Sequence, residues 1–387
     1  MTDPGAESDS TDGFAAKGAA DDACVLVTGG AGFIGGNLVR LLVRECGVRV
    51  VNLDKLTYAG NLESLADLEG EPRHAFVRGD VADAELVRHV FDEFRPRAVL
   101  HLAAESHVDR SIDAPGAFIE TNLLGTYTLL EAVRRHLGGV TSAEAERFRF
   151  VGVSTDEVYG SLGEEGRFSE ETRYDPSSPY AASKAGADHL VRAYQRTYGL
   201  PALVTNCSNN YGPYQFPEKL IPLVITRAVS GEALPVYGRG QNVRDWIYVE
   251  DHCRALWTVL ERGAPGRTYN VGGGEERRNL EVVETICAHL DRLVPPSSRG
   301  LGVGSYAELI RFVTDRPGHD FRYAIDDARL RGELGWRPRE TFATGIEKTV
   351  RWYLDHPDWC AHVTSGAYRD WIDKHYARRD QARTPPG

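Results

Sequence analysis

Three glycines at GxxGxxG spacing, Gly29, Gly32 and Gly35, separate the apolar run "CVLVTGG" (24–30) from a segment of helical spacing over 33–46. Few features narrow a fold as much as a buried strand that turns tightly into a helix. Glycines let the backbone approach an anion, and the first amides of the helix supply donors and a positive dipole end. The loop therefore predicts a pyrophosphate site. The next apolar run, "VRVVNLD" (48–54), ends in Asp54, 19 residues after Gly35. A carboxylate placed there accepts hydrogen bonds from an adenosine ribose and repels a 2′-phosphate, which favours NAD over NADP. Lys55, the next residue, works against that preference.

The runs "HAFVRGD" (74–80), "AVLHLAA" (98–104), "FRFVGVST" (148–155) and "PALVTNCS" (201–208) continue the series, with helical spacing over 83–94, 116–137 and 180–198. Most runs are continuously apolar, as strands covered on both faces are. Alternation of this kind predicts an α/β fold with a doubly wound parallel sheet, whose ligands sit at the carboxyl ends of the strands. From about 206 the pattern loosens into proline, glycine and tyrosine clusters, which predicts a smaller domain of mixed structure over 206–378. The chain is expected to return to the first domain, 23–205, near 240–275, with "RTYNVGG" (267–273) rejoining the sheet. Residues 1–22 read as a disordered leader and 379–387 as a frayed tail.

Composition removes several function classes. The net charge of −11 argues against a nucleic-acid partner. No apolar run approaches the roughly 20 residues of a membrane span. The N-terminus lacks the basic start and apolar stretch of a secretion signal. Six scattered cysteines with no CxxC pair predict reduced thiols, no metal site and a cytoplasmic protein.

Three further places carry chemistry. In "RGDVAD" (78–83), Asp80 either holds an adenine edge, with Val81 packed on the ring, or caps the following helix. In "SPYAASKAGADHLVRAYQRTYG", Tyr180 and Lys184 lie four residues apart and share a helix face. The apolar side of that helix runs through Ala187, Leu190, Val191, Tyr194 and Tyr198. A nearby ammonium, with the positive charge of an oxidised nicotinamide, is expected to lower the tyrosine pKa, so that its phenolate accepts an alcohol proton. In "VSTDEVYG" (153–160), two carboxyl groups, Asp156 and Glu157, follow Ser154 and Thr155 at the end of a buried strand. Adjacent negative charges are costly where water is thin. Capping of the next turn is the plain reading of that doublet; an acid–base pair is the chemical one.

Together, TGGAGFIG, the strand-end Asp54, STDEVYG and YxxxK resemble an extended short-chain dehydrogenase/reductase, a Rossmann-type fold. More narrowly, the chain resembles the dTDP-glucose 4,6-dehydratases over about 24–375. The matching stretches are "DKLTYAGN" (54–61), "LAAESHVDRSI" (102–112), "NNYGPYQFPEKLIP" (209–222), "VRDWIYVEDH" (243–252) and "DRPGHDFRYAID" (315–326). The resemblance implies that Tyr180, with Thr155 sharing a hydrogen bond to the sugar, removes the 4-hydroxyl proton as hydride leaves C4 for NAD. Glu157 then takes the C5 proton, Asp156 protonates the departing C6 hydroxyl, and the hydride returns to C6. One carboxyl must be charged and its neighbour neutral. For the cofactor, the resemblance implies Phe33, Ile34, Lys55, Thr57, Leu102, Ala103, Ala104, Ser106, Thr121 and Asn210 beside the glycines, Asp54, Asp80, Val81, Tyr180 and Lys184. For the substrate, dTDP-glucose, it implies Ser106, Thr155, Asn209, Lys219, Leu220, Pro235, Tyr237, Arg244, Asn279, Arg316 and His319. A homodimer through helices near 116–137 and 180–198 is also implied.

His101, His107 and Trp246 are expected to be structural, and Gln215 to lie near the sugar. The stretch "VPPSSRGLGVGSYAEL" (294–309) departs from the family pattern. A nucleotide-sugar 4-epimerase shares the NAD site and YxxxK but has no use for the carboxyl doublet. A catalytically silent NAD-binding regulator would have no need of Tyr180, Lys184 or the doublet.

Overall fold

The computed structural model describes residues 23–315 and 319–364. Seven parallel strands form the central sheet: β1 (Cys24–Thr28), β2 (Arg49–Asp54), β3 (His74–Arg78), β4 (Ala98–His101), β5 (Arg149–Thr155), β6 (Ala202–Cys207) and, after an excursion, Thr268–Val271. Between β6 and that last strand lie β7 (Asn209–Tyr211), β8 (Leu234–Tyr237) and β9 (Val243–Tyr248), which makes Thr268–Val271 β10. The sheet order is β10-β6-β5-β4-β1-β2-β3. The order reverses between β1 and β4, where Thr28 pairs with His101, and ligand clefts open at such a switch point.

Strand alternation sends each side chain to one of two apolar layers. Val25 and Val27 pack with Leu38 and Leu42 of the helix Phe33–Arg44 and with Val259 of the helix Val249–Arg262. Cys24 and Leu26 face the other way, towards Val87, Phe91, Leu129, Val133 and Val191 of the helices Ala84–Phe94, Gly125–Leu137 and Pro179–Tyr198. Both faces of β1 are thus dry, which is why its sequence is apolar without interruption.

Beyond β6 the chain builds a second core. β9 pairs antiparallel with β11 (Glu276–Arg278) and parallel with β7, while β12 (Ile310–Val313) pairs parallel with β8. Tyr211, Ile221, Val224, Val282, Ile286, Ile346 and Val350 fill the space between these small sheets and the helices Leu220–Val229, Asn279–Leu293 and Phe342–Asp355. The stretch 294–309 packs on the same core: Tyr306 is fully buried and donates to the carbonyl of Val294 at 2.8 Å.

Several expectations need correction. The segment 116–137 is not one helix. A short turn, Pro115–Phe118, passes into a widened π-helical turn, Ile119–Leu124, before the regular helix Gly125–Leu137. Such π turns recur at functional sites, and this one carries Thr121. Asp80 does not cap the helix Ala84–Phe94; the cap is Asp83, which accepts from the amides of Glu85 and Leu86. Tyr198 is not on a buried face: at 53% exposure it packs edge-on against Tyr194, under the guanidinium of Arg134. The leader 1–22 and the tail 379–387 lie outside the described residues. No described helix is long and apolar enough to cross a membrane, and the six cysteines form no disulfides with one another.

Candidate active site

The glycine loop closes against the neighbouring strand end. Gly29 adopts φ +74°, and a side chain there would meet the backbone of Ala103 at 2.7 Å. Gly35 has no room either, because a Cβ would run into the Gly29 carbonyl. Gly32, at the helix N-cap, offers no side chain to the first-turn amides. Those amides and the bare backbone fit a pyrophosphate. Asp54 ends β2 with its carboxylate fixed by the amides of Ala31 (2.9 Å) and Leu56 (2.8 Å). Its remaining lone pairs face the cleft that Thr57, Gly60 and Val81 also line. The Lys55 ammonium is drawn aside to Asp80 (3.2 Å) and Thr121 (3.0 Å), which reduces its pull on a phosphate near Asp54. Asp80 is thus occupied by Lys55 and the Ala82 amide.

At the other end of the same cleft, β5 runs out into the 3-10 turn Asp156–Tyr159. Thr155, Asp156, Glu157, Tyr180 and Lys184 all line it, although they come from three elements: β5, the 3-10 turn and the helix Pro179–Tyr198. Asp156 is only 2% exposed. Its Oδ1 accepts from the Thr155 hydroxyl at 3.3 Å, and its buried Oδ2 has no hydrogen-bond partner among the described residues. Burial pushes this carboxyl well above the ordinary range, and the charges of Glu157 and Asp245 push it further, against the opposing pull of Arg244 and the Thr155 bond. The neighbours of the doublet are therefore unequal: a buried Asp156, whose proton affinity is raised, stands beside a half-buried Glu157.

Tyr180 opens the helix Pro179–Tyr198, which Ser178 caps through the Ala181 amide. Its ring meets Phe118 edge-on at 6.3 Å. Lys184, one turn on, is 5% exposed and donates to the Val153 carbonyl at 2.8 Å. The expected lowering of the tyrosine pKa is not what the protein's own groups produce. Burial raises it well above the usual value, Glu157 and Cys207 add to the rise, and the contact with the Thr155 hydroxyl opposes it. The ammonium is itself weakened by burial, with Asp188 working the other way.

Between these ends the cleft is walled by Leu102, Ala103, Ala104 and Ser106 after β4, by Asn209 and Asn210 on β7, and by Lys219, whose ammonium reaches the Ser106 carbonyl at 3.2 Å. Asn210 is oriented from behind by His252, through Oδ1 and Nδ1 at 2.9 Å. Gln215 also lines the cleft, its Nε2 donating to the Asn210 carbonyl at 2.9 Å. The remaining substrate candidates sit apart from this wall. Tyr237 approaches Asp109 (3.4 Å) and lies edge-on to His319, which bonds Asp315 at 2.6 Å. Arg244 is stacked on Tyr323 at 4.2 Å and donates to the carbonyls of Asp320 and Phe321. Pro235 lies in β8 opposite Arg311, Leu220 packs on the second core, and Asn279 begins a helix. Arg316 lies outside the described residues.

A family model for GDP-mannose 4,6 dehydratase matches residues 26–349. A dTDP-glucose 4,6-dehydratase from Xanthomonas campestris is 60% identical over 345 residues, covering 89% of this chain and 97% of that protein. Another, from Shigella flexneri, is 56% identical over 364 residues, covering 92% and 99%. The chain belongs to the dTDP-glucose 4,6-dehydratase family. Among solved structures, the family's enzyme from Bacillus anthracis, determined in complex with NAD, superposes with a TM-score of 0.77 at 44% identity, covering 88% of this chain and 99% of that one.

The structure adds residues to this dehydratase cleft that the sequence did not single out, among them Glu105, Cys207, Ser208, Phe216 and Glu218. Glu218 is almost wholly buried, 3.6 Å from both His107 and Arg110, and burial pushes its carboxyl up to about 7. Its position beside Lys219 was the only signal in the sequence, because burial of a carboxyl is a tertiary property. His101, bonded to Thr28 and Thr126 and pushed down to about 3 by burial, is a neutral strut.

Proposed function

We propose that the chain converts dTDP-glucose to dTDP-4-keto-6-deoxyglucose with NAD as a recycled cofactor. The observation that carries this reading is the buried Asp156 between Thr155 and Glu157, its carboxyl raised by burial, in one cleft with Tyr180. NAD, when bound, would supply the hydride acceptor for C4 and the hydride donor for C6. Thr155 and Tyr180 hold the sugar 4-hydroxyl, and Tyr180 takes its proton. A ketone at C4 acidifies C5, and Glu157 receives the C5 proton as carboxylate. Asp156 gives its proton to the C6 hydroxyl, and the C5–C6 elimination releases water. Glu157 then reprotonates C5. The Gly29–Gly35 loop would hold the pyrophosphate and Asp54 the adenosine ribose. Asn209 and Lys219 would take the substrate diphosphate. Tyr237, with Asp109 and His319 beside it, would hold the base, and Arg244, Asn279 and Arg316 belong to the same assignment.

An epimerase needs oxidation and return but no proton for a leaving hydroxyl. A buried carboxyl beside the threonine favours dehydration over that alternative. Incubation with dTDP-glucose followed by alkali tests the reading: a 4-keto-6-deoxy product absorbs in the near ultraviolet, and a 4-epimer does not.

The proposal extends to a homodimer and a cytoplasmic location. Ile112, Ile119, Leu124, Tyr127 and Tyr198 are all between 42% and 53% exposed along 108–137 and at the end of Pro179–Tyr198. Large apolar side chains gathered on adjacent helices suit a partner copy. Six thiols kept as thiols suit a reducing compartment.

A further inference from the structure

Tyr180, Lys184 and Asp188 follow one another at four-residue intervals on the helix Pro179–Tyr198. The first two line the cleft; the third lies behind them, 3% exposed. Its carboxylate is held from three directions. Oδ2 accepts from the Ser154 hydroxyl at 2.7 Å, from the Tyr174 phenol at 2.9 Å and, more distantly, from the Asn206 amide at 3.5 Å. Asn206 Nδ2 also donates to the Thr155 carbonyl at 3.1 Å, and Arg192 donates to the Tyr174 oxygen at 2.6 Å. One buried carboxylate thereby joins the helix that carries Tyr180 and Lys184 to the two residues that precede Asp156.

We propose that Asp188 is a positioning residue for the reaction, acting as the counter-charge that keeps Lys184 an ammonium while fixing the end of β5 against the catalytic helix. The inference rests on the dehydratase reading above. A buried ammonium with no anion near it gives up its proton readily. At Lys184 burial works in that direction and Asp188 opposes it. The other titratable or charged groups around the pair are Tyr180 and Arg192 on the same helix, Tyr174 on the loop before it, His101 on β4, Cys207 on β6, and Asp156 and Glu157 after β5. Glu131, on the packed helix Gly125–Leu137, is taken up by Tyr194 two turns further on. His101 is neutral, and Cys207 is pushed up to about 12. Burial raises the Asp188 carboxyl as well, and Lys184, the bonds from Ser154 and Tyr174 and the charge of Arg192 oppose that rise; among these groups Asp188 is the one placed to balance the lysine.

Asp188→Asn removes the charge but keeps a side-chain oxygen for Ser154 and Tyr174. Two readouts separate its effects. The chain has few lysines, so carbon-13 at the ε-position of Lys184 can be followed by NMR through a pH titration, assigned by its loss in Lys184→Arg. The midpoint is expected to fall by about one pH unit or more in Asp188→Asn, a tenfold change in proton affinity. In single turnover with dTDP-glucose, the alkaline limb of NADH formation is expected to move to lower pH by the same amount. If Asp188→Asn does not fold, Asp188→Ser, which also removes the charge and keeps a small polar side chain, is expected to shift the same midpoint in the same direction. A Lys184 midpoint unchanged within about 0.2 units in the folded variant overturns the proposal, whatever happens to the rate. Failure of the parent protein to turn over dTDP-glucose overturns the functional reading instead, and leaves the NMR titration to decide the role of Asp188.

Discussion

Asp156 lies at 2% exposure immediately before a half-buried Glu157, and the charge of Glu157 reinforces burial in raising the Asp156 carboxyl. Placing two carboxyl groups side by side costs free energy, and in the proposed reaction that cost separates them into a proton donor and a proton acceptor. The Thr155 hydroxyl touches both residues: it donates to Asp156, which partly opposes that rise, and accepts from the Glu157 amide, each at 3.3 Å.

This division of labour predicts which step each variant slows. Asp156→Asn keeps the shape of the side chain but has no proton to give. Glu157→Gln cannot take the C5 proton. Each is expected to slow water loss by about 10²–10⁴-fold, while NADH remains detectable in single turnover. The check is a rapid-quench time course of product set against absorbance at the nicotinamide band. Loss of NADH formation along with dehydration would show instead that the doublet serves the first step.

Glu157→Gln should also move a pH profile, with a definite sign. The Glu157 carboxylate raises the proton affinity of Tyr180. C4 oxidation needs the phenol to give up its proton, so its rate rises with pH through the tyrosine pKa. Removing the Glu157 charge lowers that pKa, and the ascending limb of NADH formation is expected to shift to lower pH. A shift to higher pH would contradict the assignment of Tyr180 as the base.

Gly29→Ala tests the phosphate loop. The left-handed φ alone costs about 1–3 kcal/mol for a residue with a side chain. The Cβ would also collide with the backbone of Ala103, where the two strand ends meet. NAD affinity, followed by quenching of tryptophan fluorescence, is expected to drop at least about tenfold, with a lower Tm. An unchanged affinity would place the dinucleotide elsewhere.

Leu124→Glu and Tyr127→Glu each put a charge into the exposed apolar patch on the helices before Leu137. In sedimentation velocity the parent is expected to run as a dimer and each variant to shift towards monomer, without loss of helical content. A monomeric parent would remove the patch from the account of assembly.

Much of this was open to inspection in the sequence, for identifiable reasons. β1 reads as uninterrupted apolar residues because both of its faces meet helices, and the glycine spacing reports a backbone constraint that no other residue satisfies. Tyr180 and Lys184 share a face because four residues make about one helical turn. What the sequence did not disclose depends on groups that are distant in the chain. The sign of the Tyr180 shift is set by burial and by Glu157 rather than by Lys184. The helical spacing over 116–137 conceals the π turn at Thr121, since one extra residue per turn leaves the apolar pattern nearly intact. Glu218 and Asp188 look like surface residues in the sequence, and only packing makes them buried carboxyl groups.

The most direct test of the central claim is mass spectrometry of the nucleotide sugar after incubation of the protein with NAD and dTDP-glucose in deuterium oxide. In the proposed reaction Glu157 takes the C5 proton and later returns one that has exchanged with solvent, and Asp156 expels the C6 hydroxyl as water. The account predicts a product lighter than the substrate by one water, with one solvent deuterium at C5. A product with the mass of the substrate and no deuterium on carbon would contradict it.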